Sequence, residues 1–120
     1  MSAMTTTHRR WNDVPAEQIN PEISRRFITC DRVTVARFEL TRGGVVPEHR
    51  HDNEQVSMVM SGALKFKVGG QETVVRGGEV IHLPGGVPHE VEVLEDSVVV
   101  DVFSPVRQDW VDGTDTYFRR

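Results

Sequence analysis

The chain has 120 residues, 38% of them hydrophobic and 27% charged, with a net charge of −4. That is one domain's worth of soluble chain, with enough core to fold unaided. The acidic balance excludes a nucleic-acid or anionic-membrane surface, which needs a basic field, no stretch approaches a membrane span, and the lone Cys30 excludes an intrachain disulfide.

Residues 1–10 are polar and Thr-rich, without the apolar run of a signal peptide, and read as a flexible tail. With the single cysteine, this predicts a cytoplasmic protein. Residues 11–31 carry Pro15 and Pro21 and are expected to form an N-terminal arm, with a helical turn at Ala16 to Ile19 and Cys30 as core or strand filler. From residue 32 the character changes. Runs rich in Val, Phe and Ile predict strands at Arg32 to Leu40, Gln55 to Met60, Ala63 to Val68, Glu72 to Val75, Val80 to Leu83, His89 to Leu94 and Ser97 to Phe103. Turn signals separate them at Gly43-Gly44, Asp52-Asn53, Gly69-Gly70, Gly77-Gly78, Pro84-Gly85-Gly86 and Glu95-Asp96. Gly69-Gly70 fits a two-residue hairpin turn. No helical segment is long enough for a crossover between parallel strands. The expected fold is therefore all-β, a single-domain antiparallel barrel or sandwich of jelly-roll type over 32–110, followed by a C-terminal extension at 111–120.

Four of the five histidines fall in the β region: His49, His51, His82 and His89. On extended chain, residues i and i+2 face one side, so His49 and His51 can converge on one point. Gln55 has the same parity, and the Pro-Gly-Gly turn can bring His89 alongside. Three imidazoles at one interior point suit a divalent transition metal: zinc, nickel, iron, manganese or copper. A bare His-x-His could equally be two surface residues in a polar loop; the surrounding glycines and proline argue against that. His82, opposite in parity to Ile81 and Leu83, is given a structural role.

That framework resembles the cupin family. Gly43, five residues, His49-Arg50-His51, three residues, Gln55, six residues, Gly62 is similar to the first cupin motif. Gly78, five residues, Pro84-Gly85-Gly86, two residues, His89 is similar to the second, and the fifteen residues between Gly62 and Gly78 match the spacing of small bacterial cupins. The resemblance implies a double-stranded β-helix (jelly-roll) barrel with one metal held by His49, His51, His89 and the residue at position 55. The usual fourth ligand is glutamate. Here Gln55 takes that place, and both the spacing to Gly62 and the strand parity favour it over the adjacent Glu54. A neutral ligand set leaves the metal's full +2 charge, which makes it a stronger Lewis acid and harder to oxidise.

In the run from Ser97 to Trp110, Asp101 is a carboxylate within an apolar strand, sharing a face with Val99 and Phe103. It reads either as a solvent-facing residue, the reading a half-exposed strand favours, or as a buried acid beside the metal. Arg107 is either an ordinary surface arginine or a clamp for a carboxylate. The glutamine ligand, with Asp101, Phe103 and Arg107 after the motifs, is similar to the KdgF-type cupins of pectin and alginate breakdown. That similarity implies conversion of 4,5-unsaturated uronate monosaccharides to the linear 5-keto-4-deoxyuronate, with Asp101 carrying a proton, Arg107 gripping the substrate carboxylate and Phe103 forming a wall for the ring. A metal-dependent oxygenase, another cupin isomerase or cyclase, and a non-catalytic sensing module remain alternatives. The expected partner is a small anionic sugar acid, and the segment Trp11 to Phe27 is a candidate arm for a homodimer.

Overall fold

A computed structural model describes residues 6–115. Residues 1–5 of the expected tail and 116–120 of the expected C-terminal extension lie outside the described residues.

Eight strands carry almost all the regular structure: β1 (Glu17–Asn20), β2 (Ile23–Thr29), β3 (Thr34–Leu40), β4 (Val45–His49), β5 (Glu54–Val68), β6 (Gln71–Arg76), β7 (Val80–Leu83) and β8 (His89–Ser104). A 3-10 turn at Trp11–Asp13 precedes them and a short helix, α1 (Gln108–Asp112), follows. Every pairing is antiparallel, in the order β1-β2-β3-β8-β5-β6, with β4 also on β8 and β7 also on β5. The result is a jelly-roll β-barrel in one domain, and no helix among the described residues is long and apolar enough to cross a membrane.

β5 and β8 run through both halves of the barrel. Each was expected as two strands with a break, at Ser61-Gly62 and at Glu95-Asp96. Instead both continue, because the chain bends at bulges rather than turning back. Gln55, Ser57 and Val59 face inward on β5; after three register shifts the inward residues are Leu64 and Phe66. The bend requires Gly62: its φ is +92°, and a Cβ there would sit 2.2 Å from the Ser97 hydroxyl. Ser97 stitches the bend, taking the Ala63 N–H at 3.1 Å and donating to the Glu95 carbonyl at 2.7 Å. β8 keeps its parity throughout, so His89, Val91, Val93, Val99, Asp101 and Phe103 all face the interior. The hairpin turn at Gly69-Gly70 is present, with Val68 opposite Gln71.

Two local expectations are corrected. The helical turn at Ala16 to Ile19 is instead β1, where Ile19 is buried and pairs its strand with β2. Local propensity there yields to an open sheet edge. Cys30 is exposed, because it lies in the turn where its N–H meets the Val33 carbonyl, not within a strand. The segment 11–31 supplies β1 and β2 to the chain's own sheet, with β2 paired along the whole of β3 from Ile23–Leu40 to Thr29–Thr34.

Inside the barrel, the core at one end is aliphatic and aromatic: Ile23, Phe38, Leu64, Phe66, Val75 and Val93 are all buried. Polar residues, Gln55, Ser57, His89 and Asp101, replace these at the other end of the barrel. Burying such groups is costly unless they bond to one another or to a ligand.

Candidate metal centre

Three histidines converge there. His49 closes β4, His51 follows in the loop, and His89 opens β8 directly opposite His49 in the register. Their ligand atoms all lie within 4.8 Å of one another. The ring centroids of His49 and His89 are 4.3 Å apart, and those of His51 and His89 4.9 Å. The Pro-Gly-Gly turn brings the two halves together. A Cβ at Gly85 would lie 2.4 Å from the Asp52 carbonyl, and the Gly86 N–H donates to the His51 carbonyl at 2.8 Å.

Each ring is held in the same way. Nδ1 of His49 faces the Pro47 carbonyl at 2.8 Å, Nδ1 of His51 that of Asn53 at 3.0 Å, and Nδ1 of His89 that of Val87 at 3.0 Å. A carbonyl only accepts, so the proton of each neutral ring belongs on Nδ1, leaving Nε2 a lone pair. Burial keeps the rings neutral: it pushes His49 down to about 3 and His51 down to about 4, and it lowers His89 as well. The Arg107 charge adds to this at all three rings, and so does the repulsion that a second protonated ring would meet, from His89 and His51 at His49 and from His89 at His51.

Gln55, inward on β5, presents its amide oxygen to Nε2 of His51 at 3.1 Å. Its amide nitrogen donates to the Ser57 hydroxyl at 2.9 Å and to the Asp101 carboxylate at 3.3 Å. With the His51 proton on Nδ1, two acceptors therefore face each other. The buried Nε2 of His89 has no hydrogen-bond partner among the described residues. Lone pairs aimed at one point without a donor between them fit a cation, and the set of three imidazoles and one amide oxygen fits a divalent transition ion. Glu54 faces outward and pairs with His82 at 2.7 Å, both exposed.

Asp101 faces inward and is buried, not solvent-facing, because it continues the inward parity that begins at His89. It stands opposite Ser57 on β5 and Ala36 on β3. Burial pushes its carboxyl up to about 7, against the opposing pull of the Ser57 hydroxyl and the Arg107 charge.

Arg107 is also buried. Its backbone N–H donates to the Thr34 hydroxyl at 2.9 Å, and its guanidinium packs over Phe103 at 4.8 Å and Trp110 at 4.4 Å. Nε and Nη2 donate to the two Asp109 oxygens at 2.9 and 2.7 Å, so that edge of the fork is engaged by the chain itself. Although burial opposes it, this pair holds the Asp109 carboxyl below its ordinary value. A cavity of about 50 Å³ is lined by His49, Gln55, His89, Asp101, Phe103 and Arg107 over an apolar base that includes Phe38, Leu64 and Phe66. At roughly 10–15 Å³ per water it takes a few waters or part of a small molecule.

Three residues outside the sequence-derived set shape the site. Asn53 donates to the Pro105 and Val106 carbonyls at 2.6 and 3.1 Å, tying the histidine loop to the segment that carries Arg107. Trp110 is buried against Phe27, Phe38 and Phe103, with the Arg25 guanidinium 4.2 Å from its ring. Ser57 is fully buried beside Gln55. Only Ser57 carried a usable signal, a polar residue on the inward parity of Gln55.

The sequence pattern of the cupin domain matches residues 36–103. The chain is 27% identical over 103 residues to the pectin degradation protein KdgF of Dickeya dadantii, covering 83% of this chain and 94% of that one. It is 31% identical over 98 residues to an uncharacterised protein of Streptomyces coelicolor, covering 80% and 93% of the two chains. Among solved structures, KdgF from a Halomonas species superposes with a TM-score of 0.83 at 26% identity, covering 88% of this chain and 99% of that one. An RmlC-like cupin from Shewanella frigidimarina shares the fold at 22% identity, with a TM-score of 0.82 and coverage of 88% and 96%. With the pattern matched across more than half of its length, the chain belongs to the cupin family.

Proposed function

We propose that this cupin is a metal-dependent enzyme that opens the ring of 4,5-unsaturated uronate monosaccharides to the linear 5-keto-4-deoxyuronate. The observation that carries this reading is a buried Asp101, its carboxyl raised to about 7, lining one cavity with His49, Gln55, His89 and Arg107, where His49, His51 and His89 converge. The similarity to KdgF proteins, one of them named for pectin degradation, points the same way.

The reaction is an isomerisation and needs no co-reactant. The anomeric hydroxyl loses its proton, the bond between the anomeric carbon and the ring oxygen breaks, and the anomeric carbon becomes an aldehyde. The ring oxygen leaves as an enolate across C4 and C5. A proton added at C4 completes the 5-ketone. One proton therefore moves from oxygen to carbon.

A divalent ion held by His49, His51, His89 and Gln55 would supply Lewis acidity to substrate oxygens. Asp101 takes the hydroxyl proton and returns it at C4. A carboxyl near neutrality suits both directions of transfer. Arg107, held rigid by Asp109 and by stacking on Phe103 and Trp110, supplies a fixed positive charge for the uronate carboxylate. Phe103 gives the ring an apolar wall. The small cavity suits a monosaccharide entering by its reactive edge rather than a polysaccharide.

The test is incubation of metal-loaded protein with unsaturated galacturonate and guluronate monomers. The conjugated double bond is lost in the product, so ultraviolet absorbance should fall without oxygen uptake. Oxygen uptake coupled to turnover would favour an oxygenase, and binding without absorbance change would favour a sensing module.

A further inference from the structure

We infer that Ser57 is a positioning residue of the metal centre, setting which end of the Gln55 amide faces the three histidines. The inference rests on the reading of His49, His51, His89 and Gln55 as metal ligands, and it adds a residue and a cause.

A glutamine amide has two nearly isosteric ends with opposite chemistry, an acceptor oxygen and a donor nitrogen. Only the oxygen can bind a cation. Nothing in the reach of the Gln55 side chain toward the histidines selects the oxygen, because a neutral His51 with a lone pair on Nε2 would prefer the amide nitrogen. The choice must come from the other side. There the Ser57 hydroxyl receives the amide N–H at 2.9 Å, and Asp101 receives the second at a longer 3.3 Å. Ser57 is 0% exposed, so no water competes for the position.

The strand geometry makes this arrangement local. Gln55 and Ser57 are two apart on β5 and share its inner face. Across the ladder, Gln55 pairs with Phe103 and Ser57 with Asp101. A hydroxyl at 57 therefore stands at the junction of the amide and the carboxylate. It can accept from one and give its own hydrogen to the other, which a methyl or a thiol cannot match. An amide held this way keeps its oxygen toward the centre before any ion arrives, and the hydrogen bonds around a ligand are where tenfold to hundredfold differences in metal affinity arise.

The experiment measures Zn²⁺ binding by chelator competition on metal-stripped wild type, Ser57→Ala, Ser57→Cys, Gln55→Ala and the Ser57→Ala/Gln55→Ala double variant. Co²⁺ absorption is recorded on the same proteins. Ser57→Ala is expected to weaken Zn²⁺ binding about tenfold or more and to alter the Co²⁺ spectrum, with Ser57→Cys falling between. In the Gln55→Ala background the further loss should vanish, because there is no amide left to orient. Affinity within about twofold of wild type in Ser57→Ala and Ser57→Cys would overturn the inference, as would an equal loss with and without Gln55. Should Ser57→Ala fail to fold, Ser57→Cys alone decides between these outcomes. Failure of wild type itself to bind Zn²⁺ or Co²⁺ would overturn the metal-centre reading, and is distinguished from the other failures by that control.

Discussion

Replacing Gln55 by glutamate alters two neighbours at once. On the histidine side it offers the ion a charged oxygen in place of a neutral one, so metal affinity should hold or rise. On the far side it removes the amide nitrogen that donates to Ser57 and Asp101 and puts a carboxylate oxygen in its place, 3.3 Å from Asp101 if the geometry is kept. Both positions are buried. Two like charges at that separation repel by about 5 kcal/mol at an effective dielectric of 20, before the ion and Arg107 offset part of it. The pair relieves the repulsion by holding a proton between its oxygens, well above neutral pH. Asp101 would then be a poor acceptor for the substrate proton, and the metal a weaker Lewis acid. The Gln55→Glu protein should bind metal at wild-type stoichiometry yet turn over unsaturated uronate about 100-fold more slowly at neutral pH, with its optimum displaced to higher pH. Metal analysis and ultraviolet kinetics across pH on the same samples decide this. Wild-type turnover with an unmoved pH profile would refute the assigned contact between positions 55 and 101 as catalytically meaningful, and oxygen uptake appearing in this variant would shift weight to oxygenase chemistry.

Other outcomes follow from the same geometry. Alanine at His49, His51 or His89 should abolish stoichiometric metal binding, measured by elemental analysis; retention of one ion per chain in all three would place the site elsewhere. Asp101→Asn keeps shape but removes the base, so kcat should drop roughly 10²–10⁴-fold with normal metal content, and wild-type kinetics would remove Asp101 from the mechanism. Arg107→Lys keeps the charge but loses the fork to Asp109 and the stacking on Phe103 and Trp110, so KM should rise by about tenfold with a smaller fall in kcat; an unchanged KM would return Arg107 to a purely structural role. Metal-stripped protein should lose stability as pH falls below about 6.5, the ordinary histidine value. The unfolded chain takes up protons at His49 and His51 before the folded one, whose rings hold out to about 3 and about 4. Asp101 acts with opposite sign, because its folded carboxyl, raised to about 7, is destabilised as pH rises from its ordinary range. The urea midpoint should therefore fall from pH 7 to about 5, and flatten in His49→Gln; a flat wild-type profile would contradict the neutral-ring assignment.

The barrel and the histidine cluster were legible because they depend on local features: parity along extended chain, and glycines where the backbone bends or approaches itself, as at Gly62 and Gly85. Choosing Gln55 over Glu54 drew on the spacing to Gly62 and on parity, and the two residues do face opposite ways. The inward turn of Asp101 was harder to read. Both faces of β8 are apolar there, with Val98, Val100 and Val102 half-buried on the outside, so alternation could not say which face is the core. The bends of β5 and β8 looked like breaks because a bulge and a turn draw on the same residues. The grip of Asp109 on Arg107 and of Asn53 on the Arg107 segment depends on tertiary contacts that no spacing announces.

The proposed function places a metal-dependent, oxygen-independent uronate isomerisation at the half-buried His49 and His51 together with the buried His89 and Gln55. Its most direct test is the ultraviolet absorbance of 4,5-unsaturated galacturonate in an oxygen-free cuvette. Metal-loaded protein should bleach it, chelator-stripped protein should not, and returned metal should restore the rate. An unchanged absorbance with fully loaded protein, or bleaching that survives complete removal of the metal, would contradict the account.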